Sequence, residues 1–161
     1  VIRNPLSIVE SLSKRNGIEP EKTFYLWLEH LVPAVLRTKG KKRVVVDYDR
    51  LLESPQTELS RISTTIDLPA PESSALEIYR NEFLEGGLRH SLYTVQDLER
   101  YPAVPTQVIS AYDWLSKLAS DSITSDNQQM ESDFEVIAGE MDILSPVLKF
   151  VERWEQKITP C

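Results

Sequence analysis

The chain has a single cysteine, Cys161, at its very end. One thiol excludes an internal disulfide framework. With only two histidines, His30 and His90, it also excludes a Cys/His metal cluster. Glycine is scarce, five residues in 161, and they form no glycine-rich phosphate loop. No apolar run approaches the roughly 20 residues that cross a bilayer as a helix, so no membrane span is expected. Positive charge is not in excess either. Eighteen Lys/Arg stand against 25 Asp/Glu, a net charge of −7. An acidic chain without a long basic, aromatic-laced stripe is a poor binder of nucleic acid. No internal repeat, low-complexity tract or signal-peptide pattern is visible, and the sequence does not begin with Met.

What is present suits a packed core. At 161 residues and 41% hydrophobic, the chain can bury one. The charge is unevenly spread. Residues 1–50 hold ten Lys/Arg against six Asp/Glu, and residues 51–161 hold eight against nineteen. Lys39, Lys41, Lys42 and Arg43 make a basic stretch that reads first as a solvated loop before a strand.

Most of the chain reads as helix. Asn4-Pro5 is a turn signal with Pro5 at a first helical position. Ile8, Val9 and Leu12 then give an apolar stripe to a helix over Pro5–Arg15, ended by Asn16-Gly17. A second helix over residues 20–38 places Phe24, Trp27, Leu28, Leu31, Val35 and Leu36 on one face. Pro33 inside it predicts a kink or break, and Trp27 reads as core. Arg43–Tyr48 is the one convincing strand; its unbroken Val44-Val45-Val46 run suits a parallel strand covered on both faces. Further helices are expected over 55–66, opened by Ser54-Pro55, over 72–84, and over Thr106–Ala119 with Val108, Ile109, Tyr112 and Leu115 inward. Glu85-Gly86-Gly87 breaks the pattern between the last two.

From Asp121 the character changes. A polar stretch leads to Met130, Phe134, Ile137, Met141, Leu144, Leu148 and Val151, which recur at alternating steps of four and three. Ser145-Pro146 interrupts this heptad stripe, so the tail is one kinked helix or two in succession. It lies either on the body of its own chain or against another chain. The expected division is residues 1–120 as one domain and 121–161 as a helical tail serving interdomain contact or oligomerisation.

The start of the chain carries the most specific motif. Val1-Ile2 reads as the tail of a buried strand, with Arg3 at its end and Ser11 about two turns into the following helix. A guanidinium and a hydroxyl so held can grip one phosphate from two sides. Arg3-Asn4-Pro5 with Ser11 eight positions after the Arg resembles the 3′-phosphate-binding motif of sulfotransferases. Leu26-Trp27-Leu28, and Val44 to Tyr48 followed by Asp49-Arg50-Leu51-Leu52 and Pro55, are similar to the strand and "Tyr-acidic-x-Leu" segment of that family. Leu84 to His90, with Leu88-Arg89-His90, resembles a late segment of its bacterial branch.

The resemblance spans roughly residues 1–120. It implies an α/β fold of the P-loop nucleotide-binding type, with an incomplete parallel sheet, many helices and a helical tail. It implies the C-terminal part of a cytoplasmic sulfotransferase that transfers a sulfuryl group from 3′-phosphoadenosine-5′-phosphosulfate to a hydroxyl or amine acceptor. Arg3 and Ser11 would hold the donor's 3′-phosphate, Tyr48 would contact the nucleotide, and Arg89 would add a second cation. The family's 5′-phosphosulfate loop and catalytic base lie upstream of Arg-Asn-Pro. The missing N-terminal part is therefore an implied partner, no residue here is assigned as catalytic, and this chain alone is expected to be inactive. An unpaired strand at Val1-Ile2 would also favour a homo-oligomer. His90 has no local partner to set its tautomer and is not assigned as catalytic. Two other readings stand beside this one: a non-catalytic helical scaffold or interaction module that works through its heptad tail, and part of a P-loop small-molecule kinase whose Arg3 touches ATP.

Overall fold

A computed structural model of the chain describes residues 1–70, 72–78 and 93–158. Eight α-helices form among them: α1 (Pro5–Asn16), α2 (Pro20–Arg37), α3 (Tyr48–Glu53), α4 (Pro55–Thr65), α5 (Ser73–Ile78), α6 (Val95–Arg100), α7 (Thr106–Ala119) and α8 (Gln128–Ile158). The expected α/β architecture does not form. Among the described residues there is no sheet, only one isolated parallel bridge between Ile2 and Asp47.

That correction has a local cause. A strand is held by a ladder of backbone hydrogen bonds to neighbours; around residues 43–46 the Val46 carbonyl meets Ile2 and the Val45 carbonyl goes to a side chain. Arg61 donates from Nη2 to the Val45 carbonyl at 2.5 Å. Arg43 turns away to donate to the carbonyls of Val35 at 2.6 Å and Ser125 at 2.7 Å. The bridge itself is two bonds, Ile2 N–H to the Val46 carbonyl at 2.7 Å and Tyr48 N–H to the Ile2 carbonyl at 2.8 Å. Ile2 thus finds its backbone partners inside the chain, where an unpaired strand edge was expected. Of the three valines, only Val46 is buried.

The ends of α1 follow their sequence signals, whereas Ser54 makes no side-chain capping bond to α4. Pro5 is at the start of α1, where its missing N–H costs nothing. Asn4 caps the helix by accepting from Leu6 N–H at 3.0 Å. Its amide donates to the carbonyls of Tyr93 and Thr94 at 3.1 Å each, which joins the start of α1 to the start of α6. Gly17 ends α1 in the left-handed conformation, φ 64°. In α2 the helix continues through Pro33. The carbonyl four residues back, that of the exposed Glu29, loses its intrahelical donor where water can replace it.

Two short helices were not anticipated. α3 is nucleated by Asp47, whose Oδ1 accepts from Asp49 N–H at 2.8 Å and Arg50 N–H at 3.2 Å. α6 opens on a capping box between Thr94 and Asp97. The expected helix over 72–84 is described only as Ser73–Ile78. The Gly86-Gly87 break, Arg89 and His90 lie outside the described residues.

α2 is the central strut. Phe24, Trp27, Leu28, Val32 and Val35 bury one face of it against α1, α7 and α8. Leu6 and Val9 meet it from α1, Val108, Tyr112 and Leu115 from α7, and Met130, Phe134 and Ile137 from α8. Each such side chain taken out of water contributes about 1.5–3 kcal/mol before ordering entropy is set against it. Trp27 is a core residue, set edge-on to Tyr112 with ring centroids 6.4 Å apart. The second layer is polar. Glu58 of α4 is buried, and its carboxylate is held by Arg50 at 3.1 Å and Arg61 at 3.0 Å. Arg50 also donates to the Ala119 carbonyl at 3.0 Å, and Arg61 pairs with Asp121 at 3.1 Å. This cluster fastens α3 and α4 to the end of α7.

Candidate functional site

Arg3 and Tyr48 come together as a result of the Ile2–Asp47 bridge, which sets the two chain segments side by side. The Arg3 guanidinium lies 4.8 Å from the centroid of the Tyr48 ring. Its Nη2 faces the Asp49 carboxylate at 3.6 Å. Both residues line a mainly apolar cavity of about 520 Å³ between α1 and α2, together with Ile8, Leu12, Trp27 and the exposed His30. Ser11 sits on the exposed side of α1 and is not among the residues lining that cavity. Arg89 lies outside the described residues.

The positive charge of Arg3 is therefore already opposed by a carboxylate and covered by an aromatic face. Among the described residues, no group of three or more His, Cys, Asp or Glu side chains could hold a metal ion.

A different surface stands out on α8. Its first half is fastened to the body. Met130, Phe134 and Ile137 are buried, and Lys39 at the end of α2 reaches Glu131 at 3.1 Å and Glu135 at 3.2 Å. Those two carboxylates raise the Lys39 ammonium above its ordinary value, hydrogen bonding to Glu131 first. Trp114 of α7 donates from Nε1 to Asp133 at 2.9 Å, and Gln107 donates to Glu140 at 2.8 Å. Further along, Leu148 and Val151 line a groove of about 250 Å³ with Tyr25 and Leu26. The end of α2 thus meets the start of α8 and its beginning meets the later part, so the two helices run antiparallel.

The heptad stripe is the seam between α8 and its own chain as far as Ile137, with Met141, Leu144 and Leu148 half-buried behind it. Helix α8 runs unbroken through Pro146, so the tail is one helix.

Beside that inner stripe is a second row that the heptad reading did not separate. Val136, Ile143, Val147, Phe150, Trp154 and Ile158 are all exposed, Ile143 by 78% and Trp154 by 54%. The row was readable as apolar doublets, Val136-Ile137, Ile143-Leu144, Val147-Leu148 and Phe150-Val151, recurring at heptad steps. Successive residues on a helix are about 100° apart. A doublet therefore puts one apolar side chain on each of two adjoining faces; as far as Leu148 the second member faces the body, and Val151 lines the groove while remaining 47% exposed.

Compared with protein-family models, with curated proteins and with solved structures, the chain shows no match. Together with the all-helical architecture of the described residues, this overturns the sulfotransferase resemblance. A donor site of that family is built on a parallel sheet, and the segment expected to supply a strand supplies one bridge. The sulfuryl-transfer activity falls with it. So do 3′-phosphoadenosine-5′-phosphosulfate as cofactor, the sulfuryl donor, acceptor and front half as partners, and the P-loop type of fold. The small-molecule kinase alternative requires the same sheet and falls for the same reason. No helix among the described residues is long and apolar enough to cross a membrane.

Proposed function

We propose that this chain is a non-catalytic helical interaction module whose working surface is the outer face of α8. The observation that carries the reading is the exposed row from Ile143 to Ile158, on a helix whose first half is locked into the core. Isolated exposed apolar residues are ordinary, but a contiguous row of large ones on one helix face marks an interaction site. Core anchoring of the first half presents the second half as a preformed helix, which spares the partner interaction the nucleation cost of a free helix. The Arg3–Tyr48 pair serves this module by holding the start of the chain against α3.

Two double variants test the reading, each melted at a series of dilutions. Phe150→Glu with Trp154→Glu should leave the melting temperature at high dilution unchanged. Phe134→Ala with Ile137→Ala, on the inner stripe of the same helix, should lower it sharply. If the outer pair unfolds the diluted chain, that face is core and the reading fails.

A further inference from the structure

Resting on that interaction reading, we propose that the occupant of the outer face of α8 is α8 of a second copy of this chain, packed antiparallel about a two-fold axis passing between residues 148 and 149. Antiparallel helices in a knobs-into-holes seam pair alternating steps of four and three across the axis. Ile143, Val147, Phe150 and Trp154 of the exposed row have those steps. Aligned this way, Val147 faces Phe150 of the partner subunit, and Ile143 faces Trp154 of the partner subunit. The next layer outward on either side sets Glu140 against Lys157 of the partner subunit. Both side chains are exposed, they flank the stretch from Ile143 to Trp154, and Glu140 also accepts from Gln107 of its own chain at 2.8 Å.

The charge pattern selects the occupant. A self-complementary ladder, apolar in the middle and opposite in sign at its ends, is what an isologous interface requires. The parallel arrangement in register would set Glu140 against its own copy and Lys157 against its own copy. An anionic bilayer is a poor alternative, because Asp142, Glu152 and Glu155 balance Lys149, Arg153 and Lys157 on this stretch, so it carries no net positive charge, and the chain carries −7. The seam is short, about three heptads, which is marginal for two free helices. Here each helix is already formed and anchored through Phe134 and Ile137, so association orders less chain.

The test uses the whole 161-residue chain. Light scattering should show a mass rising from once to twice the chain mass of 18.4 kDa with concentration, over a range of about 1 to 100 μM. Glu140→Lys and Lys157→Glu should each weaken the dimer about tenfold, by replacing opposite charges with like ones at two symmetric sites. The double variant should restore it. In a Cys161→Ser background, spin labels at Lys149→Cys and Gln156→Cys occupy equivalent heptad positions. The antiparallel pair gives a longer interspin distance at 156, from an axial offset of about 22 Å. Equal distances at the two positions, or a double variant as weak as the singles, would overturn the register. A chain that stays monomeric throughout would overturn the second-copy proposal, even if the dilution melts above still support an interaction face. Loss of sedimentation with phosphatidylserine vesicles on Phe150→Glu, in a chain with no dimer, would assign the face to a lipid surface instead.

Discussion

Phe150 and Trp154 sit one turn apart on α8 with ring centroids 6.4 Å apart, and each is 54% exposed. Val147, one turn earlier on the same face, is exposed as well, whereas its neighbour Leu148 is half-buried and lines the groove against α2. The same helix therefore carries two apolar seams with different neighbours, and single substitutions separate them.

Phe134→Ala should destabilise the chain by about 3–5 kcal/mol, since it empties a fully buried site between α2 and α8. Phe150→Ala should change monomer stability by less than about 0.5 kcal/mol. Denaturant titration at low protein concentration measures both. A cost for Phe150→Ala similar to that for Phe134→Ala would show that the outer row is packed.

Glu58→Ala should cost about 2–3 kcal/mol, because it removes the acceptor that holds Arg50 and Arg61 together. The half-exposed Arg50 can turn to water, which keeps the loss below that of a fully buried pair. Glu58→Gln should recover part of it. Chemical denaturation gives the values, and amide exchange should show α3 and α4 opening before the α2 core.

Asn4→Ala should cost about 2 kcal/mol, more than an ordinary cap, because the amide also binds the carbonyls of Tyr93 and Thr94. Gly17→Ala meets no neighbouring atom within 4 Å. Its cost is therefore the left-handed backbone alone, about 1 kcal/mol. A larger effect for Gly17→Ala than for Asn4→Ala would mean that the α1–α6 connection contributes little.

Asp97 is held below the ordinary carboxylate value, first by the Thr94 backbone N–H and then by the Thr94 hydroxyl. A depressed folded pKa contributes stability above the unfolded value of about 3.9. That contribution is lost as pH falls through the lower folded value. Thr94→Ala removes only the hydroxyl and leaves the larger cause, the backbone N–H at position 94, so the Asp97 carboxyl should move part of the way back and this part of the acid dependence should shrink without vanishing. Carboxyl titration by NMR reads the shift directly, and an unmoved Asp97 would remove the Thr94 hydroxyl as a cause.

Local chemistry determined much of this protein. Pro5 after Asn4 set the start of α1 because a missing N–H is free only in the first turn, and Gly17 set its end because the left-handed conformation favours a residue without Cβ. The four-and-three spacing of α8 marked an apolar stripe from Met130 to Val151 but left open whether its own chain or another covers it. Tertiary structure alone decided the rest. Val44-Val45-Val46 has the composition of a buried strand, but a strand exists only where neighbours supply a ladder; here Ile2 bonds the Val46 carbonyl and the Arg61 side chain takes the Val45 carbonyl. Arg3 and Tyr48 met through one bridge between distant segments, and the Asp49 carboxylate came to face the guanidinium only with that meeting. Which member of each apolar doublet on α8 faces inward was likewise undetermined by spacing, since both faces repeat at the same period. The position of α2 chose between them, and the face it left uncovered is the one on which the function is proposed to rest.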